Sequence, residues 1–329
     1  MKDRMLDTEF FCLDTAWATT RMVTKKTKIL EKQNIGTMNE LLFLPDNANR
    51  KFEGGIRTKG YFKNSFPNCP LITVVTVVFN GKDFIEETIN SVLRQKYDNV
   101  EYIVIDGGST DGTVDLIKKY ENQIDYWVSE TDDGLYFAMN KGLSLAMGDW
   151  INYMNCGDSF FSDKSINEIF KLKRNGVLYG DVMFHFNSKN TIHVKAKSLD
   201  HFWRGMQFVH QTAFVPVSIM REFPFDTNYK FGSDYNSLYQ MYLKKISFTY
   251  IDMPICNFLA GGLSDNNPKS ILECERILYK LHGSLKIRIY YYLRFIECFI
   301  KFNFAKAIGL YAYSSLRVAK NSLLRKLGK

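Results

Sequence analysis

Three acids stand where an apolar run gives way to a polar or glycine-rich turn. They are Asp106 in DGGSTDGT (106–113), Asp158 in WINYMNCGD (150–158) and Asp234 in FGSDYN (231–236). A carboxylate at a strand end can accept hydrogen bonds from a base N–H or a ribose hydroxyl, and neighbouring glycines let a ligand approach the backbone. The same residues can instead close a turn, with Ser109 or Asp111 capping the next helix. Asp158 suits another task. Magnesium or manganese held with a diphosphate needs only one or two protein carboxylates, because phosphate oxygens and water fill the remaining positions. The competing reading is a capping Asp in a turn. Asp234, near a helix start, is either a cap or a general base toward an acceptor hydroxyl. His210-Gln211 and Gly261-Gly262-Leu263-Ser264 are weaker signals, since a lone His is commonly structural and a Gly pair commonly a loop.

The elements that must position these acids alternate. The β-branched run over 71–79 predicts a strand ended by Asn80-Gly81. Apolar spacing over 83–96 predicts a helix. A strand over 101–105, a helix over 114–120, a strand over 124–128, a helix over 134–146, a strand over 150–154 and a helix over 165–173 follow. This order predicts an α/β, Rossmann-like layout: a mostly parallel sheet flanked by helices, without a GxGxxG signature. Ligands of such sheets gather at the carboxyl ends of the strands, where the polar clusters fall. Residues 1–69 read as an N-terminal extension, 70–275 as the main domain and 276–329 as a basic helical tail.

Charge and composition narrow the classes. The net charge is +8, but the stretch 280–329 holds eleven Lys/Arg against Glu297 alone, which leaves the rest of the chain slightly acidic. Nucleic acid binding by the body is therefore not expected. The six cysteines form no CxxC pair, so neither a zinc site nor a disulfide scaffold is expected. Without an apolar leader near Met1, a cytoplasmic location is expected. Charges interrupt the aromatic, aliphatic stretch 285–327 too often for a membrane span. A basic amphipathic helix lying on the anionic inner face of the cell membrane fits its pattern, and so does a packed helix with a solvated basic face.

In combination the motifs resemble family 2 glycosyltransferases with the GT-A fold. The resemblance rests on TVVTVVFNG (73–81), IVIDGGSTDGT (103–113), DDGLYFAMNKG (132–142), GDWINYMNCGD (148–158), HQTAF (210–214) and SDYNSLYQMY (233–242). It is nearest the branch that builds bacterial capsule, O-antigen or exopolysaccharide, and the block NRKFEGGIRTKGYF (49–62) resembles an extension of that branch. The resemblance implies an inverting enzyme that moves a sugar from a nucleotide-diphospho-sugar, with UDP the expected carrier, to a glycan or polyprenyl-linked acceptor. It assigns Asp234 as catalytic base and Asp158 as the acid for a divalent cation, Mg or Mn. Phe79, Asn80, Asp106, Ser109, Asp111, Asp132, Asp133, Asn140 and Lys141 fall on the donor side, and His210 and Gln211 on the acceptor or diphosphate side. Two positions depart from the pattern: Gly157, where many relatives carry a first Asp, and Phe137, where relatives often carry Asp. Those departures motivate one alternative, a nucleotide-sugar-binding protein with degraded catalysis. A sugar nucleotidyltransferase would need a longer phosphate loop than Phe79-Asn80-Gly81-Lys82.

Overall fold

The computed structural model describes residues 10–12, 22–25, 41–171, 175–187, 190–260 and 268–308. Its strands are β1 (Phe10–Cys12), β2 (Met22–Lys25), β3 (Arg50–Gly54), β4 (Tyr61–Phe62), β5 (Ile72–Val78), β6 (Val100–Asp106), β7 (Tyr126–Glu130), β8 (Trp150–Tyr153), β9 (Ser159–Phe160), β10 (Val177–Asn187), β11 (Asn190–Val194), β12 (Val215–Pro216) and β13 (Phe248–Leu259). The helices are α1 (Ile85–Leu93), α2 (Thr113–Lys119), α3 (Leu135–Leu145), α4 (Ser165–Phe170), α5 (Val217–Glu222), α6 (Ser233–Leu243), α7 (Pro268–His282) and α8 (Leu285–Ile308).

The main sheet runs β12-β8-β5-β6-β7-β3. Its four central strands are parallel, and β12 and β3 close the edges antiparallel. Every residue of β5, β6 and β7 is buried, as continuous apolar strands covered on both faces should be. Val75 and Val77 of β5 pack with Met139 and Leu143 of α3 on one face. Ile72, Val74 and Val78 pack with Ile85, Ile89 and Val92 of α1 on the other. Gly142 makes the first of these contacts possible, because a Cβ there would collide with the Val75 side chain. The strand expected at 124–128 starts instead at Tyr126, since the carbonyls of Ile124 and Asp125 accept from the backbone N–H groups of Ile56 and Arg57.

Two features go beyond the alternation read from sequence. Strands from residues 177–259, joined by β9, build a second sheet, β11-β10-β13-β9, in which long β10 and β13 run parallel. A Leu178–Phe214 bridge joins it to the segment before β12. The block 49–62 belongs to the body of the fold. Its strand β3 covers the free edge of β7, which would otherwise present unpaired backbone groups. Toward the carboxyl end, α7 begins at Pro268, ahead of the expected boundary at 276, and α8 follows it. Residues 309–327 of the expected tail, and the Gly261–Ser264 cluster, lie outside the described residues. No helix among the described residues is long and apolar enough to cross a membrane.

Two buried ion pairs fix the N-terminal block. Arg57 pairs with Glu101 of β6, and Arg57 Nη1 donates to the carbonyls of Leu42 and Leu145 at 3.1 Å each. Lys63 Nζ lies 2.7 Å from Asp125 and donates to Val100 O at 2.6 Å. A buried pair adds little over apolar packing, but removing one partner strands a charge in a low-dielectric interior. Lys63→Ala is therefore expected to cost about 3–5 kcal/mol in urea unfolding. A loss below about 1 kcal/mol would show that Asp125 finds another partner or water.

Candidate active site

A cavity of about 1020 Å3 opens at the carboxyl edge of the main sheet and is walled on its far side by the second sheet. Phe79 and Asn80 after β5, Asp132 and Asp133 after β7, Asn155 to Asp158 after β8, His210 and Gln211, Asp234 of α6, Phe258 and Leu259 of β13 and Ala260 just past it all line it. Of the three acids singled out from sequence, Asp158 and Asp234 are thus brought together. Asp106 is fully buried one layer beneath the wall, where only its neighbour Gly107 shows.

Asp106 is occupied in holding the loop. Its Oδ2 accepts from Gly108 N (3.1 Å), Ser109 N (2.9 Å) and Ser129 Oγ (2.7 Å), and Oδ1 accepts from Ser109 Oγ. Ser109 Oγ also accepts from Asn80 N at 2.7 Å, and Asn80 Oδ1 accepts from Thr110 N at 2.9 Å. Asp111 accepts from Lys82 N and Thr113 N, both at 3.0 Å, stitching the loops after β5 and β6 together. Asn140 and Lys141 also stand off the cavity wall. Asn140 pairs with both backbone groups of Phe225, and Lys141 lies 2.7 Å from Glu130, which Arg50 contacts from the other side. Burial alone would raise Glu130, yet these two cations hold its carboxyl below the usual range.

Asp158 is held by partners from two distant segments. Gln211 Nε2 donates to its Oδ2 at 2.7 Å, and Leu259 N donates to Oδ1 at 3.1 Å. Only 6% of Asp158 is exposed, and burial pushes its carboxyl up to about 7 against those hydrogen bonds and nearby His210. Asn155 and Gln211 line the same cavity, and their Oδ1 and Oε1 atoms are buried and without a hydrogen-bond partner. One carboxylate with two orphaned amide oxygens is a hard, oxygen-only donor set, and it fits a magnesium-like cation that shares its shell with phosphate. No group of three or more His, Cys, Asp or Glu able to hold a metal occurs among the described residues. Gly157 has a φ of 99°, in the left-handed region where an Asp would be strained. Phe137 does not line the cavity, so its departure leaves the wall unchanged.

Asp234 is gripped from two sides. Tyr136 Oη donates to Oδ1 at 2.9 Å, and His210 Nδ1 lies 3.0 Å from Oδ2. His210 Nε2 is 3.2 Å from Asn155 Nδ2, which as donor leaves the proton of a neutral ring on Nδ1, aimed at Asp234. Burial is the largest single influence and would raise Asp234, but His210, Tyr235 N and the Tyr136 hydroxyl together outweigh it and hold the carboxyl below its ordinary value. Tyr136, Asn155, Lys230 and Phe231 were not singled out from sequence. Tyr136, Asn155 and Phe231 sit inside quoted motifs, whereas nothing local marks Lys230; Lys230 and Phe231 reach the cavity from the loop before α6.

The layered sheet with ligand-facing loops is that of the GT-A glycosyltransferases. Solved relatives of this shape include Staphylococcus aureus TarS 1–349 in complex with UDP (TM-score 0.51, 15% identity, 63% of this chain and 64% of that one). Another is the mannosyltransferase PcManGT from Pyrobaculum calidifontis in complex with GDP-Man and Mn2+ (TM-score 0.53, 16% identity, 80% and 82%). Residues 73–241 match the family model described as Glycosyl transferase family 2, and the chain belongs to that family. It is 30% identical over 224 residues to an uncharacterized glycosyltransferase of Mycobacterium tuberculosis, covering 65% of this chain and 85% of the relative. Over 98 residues it is 37% identical to the putative teichuronic acid biosynthesis glycosyltransferase TuaG of Bacillus subtilis, covering 29% and 39%. The chain is a glycosyltransferase.

The raised carboxyl of Asp158 carries a sign for stability. The folded chain retains a proton between about pH 4 and 7 that the unfolded chain has released, so stability falls as pH rises through that window. The full penalty above it is about 4 kcal/mol. In EDTA, Asp158→Asn is expected to flatten this slope and to melt above the wild type at pH 8. Parallel melting curves for the two proteins across pH 4–8 would contradict the assignment.

Proposed function

We propose that the chain is an inverting transferase that moves a sugar from a nucleotide-diphospho-sugar, with UDP the expected carrier, to a hydroxyl of a glycan or polyprenyl-linked acceptor in surface polysaccharide synthesis. The observation that carries this reading is that Asp158 and Asp234 line one cavity and are connected through adjacent residues, Gln211 to the first and His210 to the second. Support for the donor class comes from relatives solved with UDP and with GDP-Man and Mn2+. The TuaG relative, named for teichuronic acid, supports the product class.

Asp158, with the amide oxygens of Asn155 and Gln211, would hold Mg or Mn, which when bound neutralises the departing diphosphate. Phe79, Asn80, Asp132 and Asp133 face the nucleotide and sugar. Asp106, Ser109 and Asp111 shape the loop under them, and Asn140 and Lys141 brace the floor. Asp234 takes the proton of the acceptor hydroxyl as that oxygen bonds to the anomeric carbon. The bond from that carbon to the diphosphate oxygen breaks, and an α-linked donor gives a β product. Tyr136 and His210 fix both carboxylate oxygens, and the lowered pKa keeps Asp234 ionised at neutral pH.

A melting-point screen of nucleotide-sugars with manganese identifies the donor, because a ligand of the folded state raises the transition. With that donor, Asp234→Asn is expected to lower kcat by about two to four orders of magnitude while the protein stays folded. Near-normal turnover would remove Asp234 as the base. Donor binding without transfer or hydrolysis across a broad acceptor set would instead favour a binding protein that has lost catalysis, the reading prompted by Gly157.

The same proposal places the protein at the cytoplasmic face of an anionic membrane through α8. Leu285, Ile289, Tyr292, Leu293, Ile296, Phe299 and Ile300 are exposed, and at 100° per residue they share one arc of that helix. Ile287 and Tyr291, on the opposite side, are buried against the body. Exposed Lys286 and Arg288 flank the apolar arc, as suits a helix lying among acidic headgroups. Ile289→Glu with Leu293→Glu is expected to cut co-sedimentation with phosphatidylserine vesicles about tenfold or more. Unchanged binding would remove the membrane role of this face.

A further inference from the structure

The helix that carries Asp234 starts without a cap of its own. Gly232 precedes α6 and has no side chain to offer. The missing acceptor comes from α7. Glu273 Oε2 accepts from Phe231 N at 2.7 Å and from Gly232 N and Lys230 N at 3.1 Å, and Oε1 accepts from Lys230 N at 3.0 Å. One carboxylate thus collects three successive backbone N–H groups at the positive end of a helix, where charge-assisted bonds are strongest. The approach is close, since a Cβ on Gly232 would sit 3.2 Å from Ile277 and 3.8 Å from the Glu273 side chain. The same loop is pinned at its other end, where Asn140 bonds both backbone groups of Phe225 and Ser237 Oγ donates to Phe223 O. Between the pins lie Lys230 and Phe231, which line the cavity, and just beyond them lies Asp234.

We infer that Glu273 is a positioning residue for transfer: by clamping backbone 230–232 from α7 it sets where Asp234, Lys230 and Phe231 present themselves to the acceptor. The inference rests on the proposed role of Asp234 as base. It makes α7, which lies beyond the family-matching stretch 73–241, part of the working site. Donor contacts come from the opposite wall, so loss of the clamp acts on turnover and leaves donor binding in place.

The test uses the full chain with Glu273→Gln, Glu273→Asp and Glu273→Ala, and with Glu275→Gln as control, Glu275 pairing with Arg288 of α8 and not with backbone 230–232. Amide hydrogen exchange of the peptide spanning 228–240 reads the clamp without any substrate. Steady-state rates with the donor found in the melting screen read its consequence. Glu273→Ala is expected to speed exchange at 230–234 at least tenfold and to lower kcat ten- to a hundredfold, with donor KM within about twofold. Glu273→Gln, which keeps an acceptor oxygen but loses the charge, should fall between Ala and wild type. Wild-type kcat in Glu273→Ala despite faster exchange, or wild-type exchange despite a lowered kcat, would overturn the inference. If Glu273→Ala does not fold, Glu273→Gln decides by the same two readouts. A wild-type chain that turns over no donor marks failure of the functional proposal, and exchange alone then reports on the clamp.

Discussion

The cavity depends on the way β8 and its following loop take hold of a single turn. Asn152, Asn155 and Asp158 recur at three-residue intervals, and each engages the His210–Ala213 stretch. Asn152 Nδ2 donates to the carbonyls of Gln211 and Ala213 at 2.9 Å each. Asn155 meets His210, and Asp158 meets Gln211. Asn152 is fully buried, where a hydrogen bond to the backbone is strong and an unmade one expensive. From this anchor the two ionisable groups of interest are oriented in opposite senses. Gln211 faces a carboxyl that burial keeps protonated more readily, and His210 faces one that is kept charged.

That opposition is chemically sensible. In the roles proposed, a carboxylate that would hold a cation needs its charge only once the cation is bound. A base must be ionised beforehand. Both carboxylates line one cavity and both are penalised by burial, but they have different partners: an amide and a backbone N–H in one case, an imidazole and a phenol in the other.

Much of this was legible in the chain. Continuous β-branched runs fix buried parallel strands, and polar residues at their carboxyl ends mark the ligand edge; both readings agree with the main sheet. Charge pattern and local spacing did not reveal β3, because Arg50–Gly54 carries alternating charge and glycine and becomes a strand only by covering β7. Nor did they reveal the second sheet, whose β10 and β13 pair across a gap no local window spans. At the site, the motifs mark which segments meet, but a motif does not say in which direction a side chain points. Asn140 and Lys141 hold neighbouring segments, as Asp106 holds its own loop, and the cavity surface is left to residues beside them. Glu273 carries no motif and is recognisable only from the three N–H groups converging on it.

The reach of Leu259 to Asp158 spans a hundred positions of chain and has a consequence during synthesis. The sheet strands β5 to β8 emerge early from the ribosome and can pair at once, since translation adds about 5–20 residues each second. The wall formed by β13 exists only after Leu259 has appeared, and with it comes the backbone N–H that steadies the buried carboxyl. A chain that ends before Leu259 therefore leaves the cavity without its β13 wall and the buried Asp158 carboxyl without this backbone donor.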